Sequence, residues 1–406
     1  MRYRRGLAWL LLGLVGCSSA TSPTSQPQPS ANVIAAEPSA IPAATSAPTV
    51  AATLQASPTV SSQLLPQPLY ALSSQPNGVQ IIRLETDGKT LTPITNEQNG
   101  VFDYQISNLG QIAYIANNDL ILVDALGQNR EILVDGPTID PQADTNVFHR
   151  DQLSTPRWSP DGSSIAFSWG GLQVLSLIDR KQTIIQPHTR NADTALADIY
   201  NYSVLYGPNS WSPDGSKILA AAGFVPEGGN LVLFDLATSA PLTITINGNY
   251  PCCHVSWEPD GSAINVTNEV FGMFPTGWWH INPSTGEAKA MIDGDNVAPF
   301  EPVSSVFMQP DGSHLAFVGT VNTNDPMEIS APLTLSQIGL DGSITPLRQD
   351  SQTVGSVLWS PDGSGAVIVP SIMAETQLQW IPSNGSTIAD LALSGANMQW
   401  AIALDQ

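Results

Sequence analysis

Five near-identical turns at a steady spacing constrain this chain more than any other feature. They read Trp158-Ser159-Pro160-Asp161-Gly162, Trp211-Ser212-Pro213-Asp214-Gly215, Trp257-Glu258-Pro259-Asp260-Gly261, Met308-Gln309-Pro310-Asp311-Gly312 and Trp359-Ser360-Pro361-Asp362-Gly363. Their aspartates stand 46 to 53 residues apart. A worn copy, Tyr104-Gln105-Ile106-Ser107-Asn108-Leu109-Gly110, precedes them, its glycine 52 residues before Gly162. Each segment has the chemistry of a hairpin. Proline presets the first turn position, aspartate tolerates the second, and glycine takes the positive-φ position. The tryptophan ending the preceding strand is a broad apolar plate that packs between neighbouring sheets. The alternation after the turn, as in Ile165-Ala166-Phe167, reads as a half-buried strand.

A third strand follows in most repeats, for example Leu231 to Phe234 before Asp235, and a Thr-rich fourth such as Leu242-Thr243-Ile244-Thr245 closes the unit. Four antiparallel strands repeated at this period predict an all-β fold, a closed β-propeller. Residues 69–95 supply three strands with no tryptophan strand before them, and Met398-Gln399-Trp400-Ala401-Ile402 supplies a first strand with nothing after it. Joined, the two ends complete one blade and leave no exposed edge. The expected count is seven blades, with six or eight as alternatives. The repeats resemble those of TolB-type, WD40-like bacterial β-propellers over essentially all of 64–406. That resemblance implies the fold and, more loosely, an envelope role, since such propellers serve many functions.

The chain begins with a basic patch (Arg2, Arg4, Arg5) and an apolar run from Gly6 to Gly16, the layout of a secretory leader. Leu14-Val15-Gly16-Cys17 resembles a bacterial lipobox, which implies cleavage after residue 16 and acylation of Cys17. Residues 17–63 are mostly Ala, Ser, Thr, Pro and Gln with a single charge, Glu37. Such a stretch buries too little apolar surface to offset its ordering entropy and reads as a tether. The three expected parts are therefore leader 1–16, tether 17–63 and propeller 64–406, held outside the cytoplasm with the membrane touched only through lipid. The whole chain carries a net charge of −21. Loss of the three arginines deepens it, which argues against nucleic acid as a partner. A monomer is expected.

The turns after first and third strands are short, while the other connections are long: 135–156, 188–209, 222–230, 268–277, 292–304 and 319–333. In a four-stranded meander these share one face of the disc, the expected binding face. Its candidate residues are His149, Arg150 and Asp151 with Asp140 and Asp144 on one loop, Tyr200, Tyr202 and Tyr206 on another, and His254, Phe274 and Trp278. The tyrosines suit stacking on a ligand or, equally, anchoring of a long loop. Cys252 and Cys253 can close a vicinal disulfide in an oxidising compartment; free thiols or a Cys-Cys-His metal site are the alternatives. No cofactor is expected, calcium on the acidic loop being the alternative. The five histidines, at 149, 188, 254, 280 and 314, show no metal-ligand spacing, and no G-x-S-x-G elbow is present. With no catalytic set, the expected role is a binding or scaffolding module for a protein, peptide or glycan. The alternative is a propeller enzyme (lactonase, lyase or glycan-cleaving) with a metal in its axial channel.

Overall fold

The computed structural model describes residues 63–401 apart from 227, 239, 247–250, 252–253, 269–275, 294–300, 321–331 and 372–375. The leader, Cys17, nearly all of the tether, the Cys252–Cys253 pair and Phe274 lie outside the described residues. Among the described residues no helix is long and apolar enough to cross a membrane.

Each repeat forms one antiparallel sheet because its apolar positions alternate and its turn residues recur at the strand ends. Seven sheets result. In blade 1 the strand Ala396–Trp400 pairs with Leu69–Gln75, Leu69 lying opposite Trp400. The two ends of the propeller therefore share a blade, as expected. Blade 2 spans 103–134, blade 3 154–187, blade 4 202–244, blade 5 254–293, blade 6 307–346 and blade 7 356–394, each in the strand order of the chain. Blade 4 adds a fifth strand, Thr189–Arg190, beside its ten-residue first strand, Tyr202–Trp211. First strands of adjacent blades 2, 3 and 4 pack against one another, which places them innermost.

The repeated turns adopt the expected geometry. Gly162, Gly215, Gly261, Gly312 and Gly363 all have positive φ, between 69° and 84°. The Gly162 amide donates to the Ser159 carbonyl at 2.9 Å, and Asp161 accepts from the Ser163 amide at 3.0 Å. At the turn's far side the Ser164 amide donates to Ser159 Oγ at 2.9 Å. Asp214, Asp260, Asp311 and Asp362 accept from the second residue on in the same way.

In five of the seven blades an indole latches the blade to the one before it. Trp158 Nε1 donates to the Gln105 carbonyl (3.0 Å), Trp211 to that of Arg157 (2.9 Å) and Trp257 to Ser210 Oγ (3.2 Å). Trp359 donates to the Ser305 carbonyl (2.9 Å) and Trp400 to the Trp359 carbonyl (2.7 Å). Blade 2, whose worn repeat has Ile106 at the tryptophan position, is held instead by Gln399, which accepts from the Ile106 amide and donates to the Tyr104 carbonyl, both at 2.8 Å. A polar chain also crosses the inner strands. Asn397 donates to Asp103 (2.5 Å), Arg157 pairs with the same carboxylate (3.3 Å), and Arg157 Nε donates to the Asn209 carbonyl (2.9 Å).

The core is correspondingly divided, one apolar cluster between each pair of neighbouring blades. Among the described residues the joint between blades 5 and 6 has the smallest, of six buried residues. Blade 6 is also the one with Met308 in place of the tryptophan. That joint is held differently.

Candidate functional site

Two places stand out, on opposite faces of the disc. The first lies on the long-connection face, where the insertions before blades 3 and 4 meet. In the first insertion Asp144 caps a helix over Thr145–Asp151, accepting from the amides of Asn146 and Val147. In the second, Thr189–Arg190 pairs with the top of the Tyr202–Trp211 strand, and a short helix covers Thr194–Ala197. Asn146 joins the two, donating to the Ile199 carbonyl (3.1 Å) and accepting from the Asn201 amide (2.7 Å). Asn118 pins the root of the first insertion, its side chain bonded to the carbonyls of Pro137 and Asp151 and the amide of Leu153. The product is a ledge.

The aromatic residues of the ledge face inward. Tyr202 is buried, with Arg190 4.5 Å from its ring centroid and the rings of His149 and His188 edge-on at 6.3 and 5.8 Å. His188 Nδ1 accepts the Tyr206 amide at 3.0 Å. Burial and the neighbouring charge of His149 push the His188 imidazole down to about 4, and burial lowers His149 as well. Tyr206 packs edge-on against Phe234. Of the two roles open to these tyrosines, the geometry is that of anchors. Tyr202 and Tyr206 also lie on a strand, not on a loop. Exposed apolar residues sit on the same side of the molecule: Ile199 at 61% exposure, with Leu196 and Phe224.

The remaining candidates of this face are dispersed. Arg150 pairs with its neighbour Asp151 at 2.6 Å, and Asp140 accepts from the Gln142 amide. Together with Asp144 these carboxylates do not gather into a cation-binding group. His254 opens the first strand of blade 5. Trp278 corrects the sequence reading: it lies in the strand Gly277–Ile281, not on a loop, and is buried at 1% exposure. It belongs to the second place.

That place is a polar cluster in the joint between blades 5 and 6, at the turn end of the blades. Glu258 stands at the motif position that is serine in three other repeats. His280 lies on the third strand of blade 5 opposite Asn265, and His314 opens the second strand of blade 6. Glu258 Oε1 is 3.2 Å from His314 Nε2, 3.4 Å from His280 Nε2 and accepts from Asn265 Nδ2 at 2.9 Å. Trp278 Nε1 donates to Asn265 Oδ1 at 2.8 Å, and its ring packs on both imidazoles at 5.0 and 4.7 Å. Glu258 is 3% exposed. Burial alone would raise its carboxyl, but the facing imidazoles of His280 and His314 and the bond from Asn265 outweigh that and hold it well below the usual carboxylate range. Glu258 Oε2 and His280 Nε2 are buried without a hydrogen-bond partner.

Sequence spacing concealed this cluster, because the two histidines are 34 residues apart and belong to different blades. The five histidines are thus not all scattered: the packing of blade 5 against blade 6 brings 280 and 314 together. A usable signal existed in the aligned repeats. Glu258 and His314 are departures from the motif in adjacent copies. Asn265 and Thr267 are polar residues alternating with Ile264 and Val266 in the second strand of blade 5.

No family model matches the chain, and no curated protein does. Solved structures do match. TolB from Acinetobacter baumannii is 14% identical over 82% of each chain, with a TM-score of 0.42. An oligogalacturonate lyase in complex with manganese is 14% identical over 80% of this chain and 84% of that one, TM-score 0.51. A puromycin hydrolase is 12% identical over 82% of this chain and 53% of the longer one, TM-score 0.54. The fold is that of a seven-bladed β-propeller. At these identities the likeness is one of architecture, shared by binding propellers and by propellers of enzymes alike.

Proposed function

We propose that this propeller is an extracytoplasmic, lipid-anchored binding module that receives a protein or peptide partner on its ledge. The observation that carries the reading is the ledge itself. Two insertions, each dispensable for closing the ring, are fastened to one another through Asn146 and to the disc through Asn118 and Tyr202. Rigid supports under exposed apolar residues are what a docking surface needs, since little ordering entropy is left to lose on binding. A glycan fits less well, because Tyr202, the ring it would stack on, is already covered. Acylation at Cys17 and the tether would hold the propeller near, but off, a membrane. A propeller enzyme with a metal in the axial channel is the alternative.

The test is site-specific photocrosslinking in the native envelope. A crosslinker at Ile199 is expected to capture a discrete partner, whereas one at Ile178, more exposed still but on the opposite face, is not. Equal capture from both positions, or from Ile178 alone, would refute the assignment of the face. Cys17→Ser should abolish labelling of the chain by a fatty-acid analogue, the measurement that checks the lipid anchor.

A further inference from the structure

We propose that Glu258, His280 and His314 form a binding site for one divalent transition cation of the zinc class, stapling blade 5 to blade 6. The first argument is geometric. Two edges of the cluster, 3.2 and 3.4 Å, run from Glu258 Oε1 to the two imidazole Nε2 atoms, and all three ligand atoms lie within 4.8 Å of one another. Ligand atoms bound tetrahedrally at zinc distances are separated by about 3.3 to 3.5 Å. The cluster thus stands near the spacing that coordination requires before any ion enters. Closing it asks for a small approach of the imidazoles, not a rearrangement of strands.

The second argument is unmet bonding. Glu258 Oε1 faces three nitrogen atoms, more than its two lone pairs serve, while Oε2, on a residue 3% exposed, has none. His280 Nε2 is likewise unpartnered. A buried carboxylate oxygen left in this state is costly. A cation held by Oε1 and both imidazoles relieves the crowding at Oε1 and gives His280 Nε2 a partner, and a water bound to it would supply Oε2 with a donor.

The third argument is the support around the ligands. Asn265 fixes the carboxylate and is itself fixed by Trp278, whose ring also walls both imidazoles. An outer shell that orients each ligand is what separates a metal site from a chance meeting of polar groups. The side chain of His280 is one-quarter exposed, so an ion can reach the cluster from the turn face, and a water would fill the fourth position. The site also lies at the joint with the smallest apolar cluster and without an indole latch. The staple stands where the ring lacks its usual fastening. Imidazole and carboxylate together favour zinc over calcium or magnesium, which take oxygen donors.

The experiment uses the full chain carrying Cys17→Ser, Cys252→Ser and Cys253→Ser, so that thiols cannot contribute. Cobalt(II) is titrated while visible absorption is followed, and zinc is then added as competitor; calcium and magnesium are controls. One equivalent should bind with the intense bands of four-coordinate cobalt, be displaced by zinc, and raise the melting temperature. His280→Ala, at the exposed edge of the cluster, should fold with the metal-free melting temperature yet bind at least tenfold more weakly. Asn265→Ala should weaken binding about 10- to 100-fold through loss of ligand orientation. No binding by a folded protein would overturn the proposal, leaving a hydrogen-bonded cluster only. Binding left unchanged in His280→Ala, or calcium binding as tightly as zinc, would overturn it too.

Discussion

A single indole nitrogen decides how firmly one blade grips the next. Trp359 is buried at 2% exposure and gives its N–H to the Ser305 carbonyl. Trp359→Phe keeps the plate and removes the donor, so it should cost about 1 to 3 kcal/mol, read as a lower urea midpoint at unchanged m-value. Gly162, at φ +69°, makes a second residue-scale test. A Cβ there is strained and would stand 2.9 Å from Asn108 Oδ1, so Gly162→Ala should cost about 1 to 2 kcal/mol or more. At Gly215 the added Cβ meets nothing nearer than 3.6 Å, and only the backbone strain should appear. Turn chemistry was legible in the sequence because it is local: Pro, Asp and Gly act on their own backbone. The Glu258 cluster was not, because Glu258, His280 and His314 act on each other across a joint that only the packing of one blade on the next creates. Met308 in the place of a tryptophan was the visible mark of that joint.

At the level of elements, the insertion ahead of blade 4 depends on a neutral imidazole. His188 Nδ1 must be unprotonated to accept the Tyr206 amide, and burial pushes its titration down to about 4. Between the ordinary histidine value of about 6.5 and that lowered one, the unfolded chain binds the proton and the folded chain does not. The stability from this group is therefore complete above about pH 6.5 and is lost progressively as pH falls toward 4, by roughly 3 kcal/mol in all. His188→Gln, which still offers an oxygen to the amide, should flatten the melting temperature over that range relative to the parent. Asn146→Ala should separate the two insertions without touching the disc. Faster amide exchange confined to 138–152 and 191–201 is the expected readout. The strand Tyr202–Trp211 was hidden within the long loop expected over 188–209. Its Gly207-Pro208 pair reads as a turn, yet the structure places Pro208 where the pairing register shifts, the position at which a strand tolerates proline. The connections read as long over 222–230 are likewise mostly strand, Lys217–Phe224 and Gly229–Asp235.

The molecule as a whole is held by its closing blade. Trp400 lies opposite Leu69, packs edge-on against Trp380 and donates to the Trp359 carbonyl. Trp400→Ala should cost about 3 to 5 kcal/mol, the range for emptying a large core position. Removing residues 396–401 should do more. It bares the Leu69–Gln75 edge, and self-association on a sizing column is expected alongside the loss of stability. The seven sheets were legible because a repeat multiplies a weak local pattern until the architecture is unambiguous, and the unpaired strands at the two ends of the pattern named their own partners. Joining those ends also has a temporal consequence. The strand at Leu69 is the first strand of the propeller to be made, and its mate at Trp400 belongs to the last, 331 positions downstream. Six blades can assemble as the polypeptide arrives, but the seventh must wait, its edge open and its neighbours unlatched. Whatever keeps the growing polypeptide from sticking to its own kind has to act through that interval, and the last strand ends it in one step.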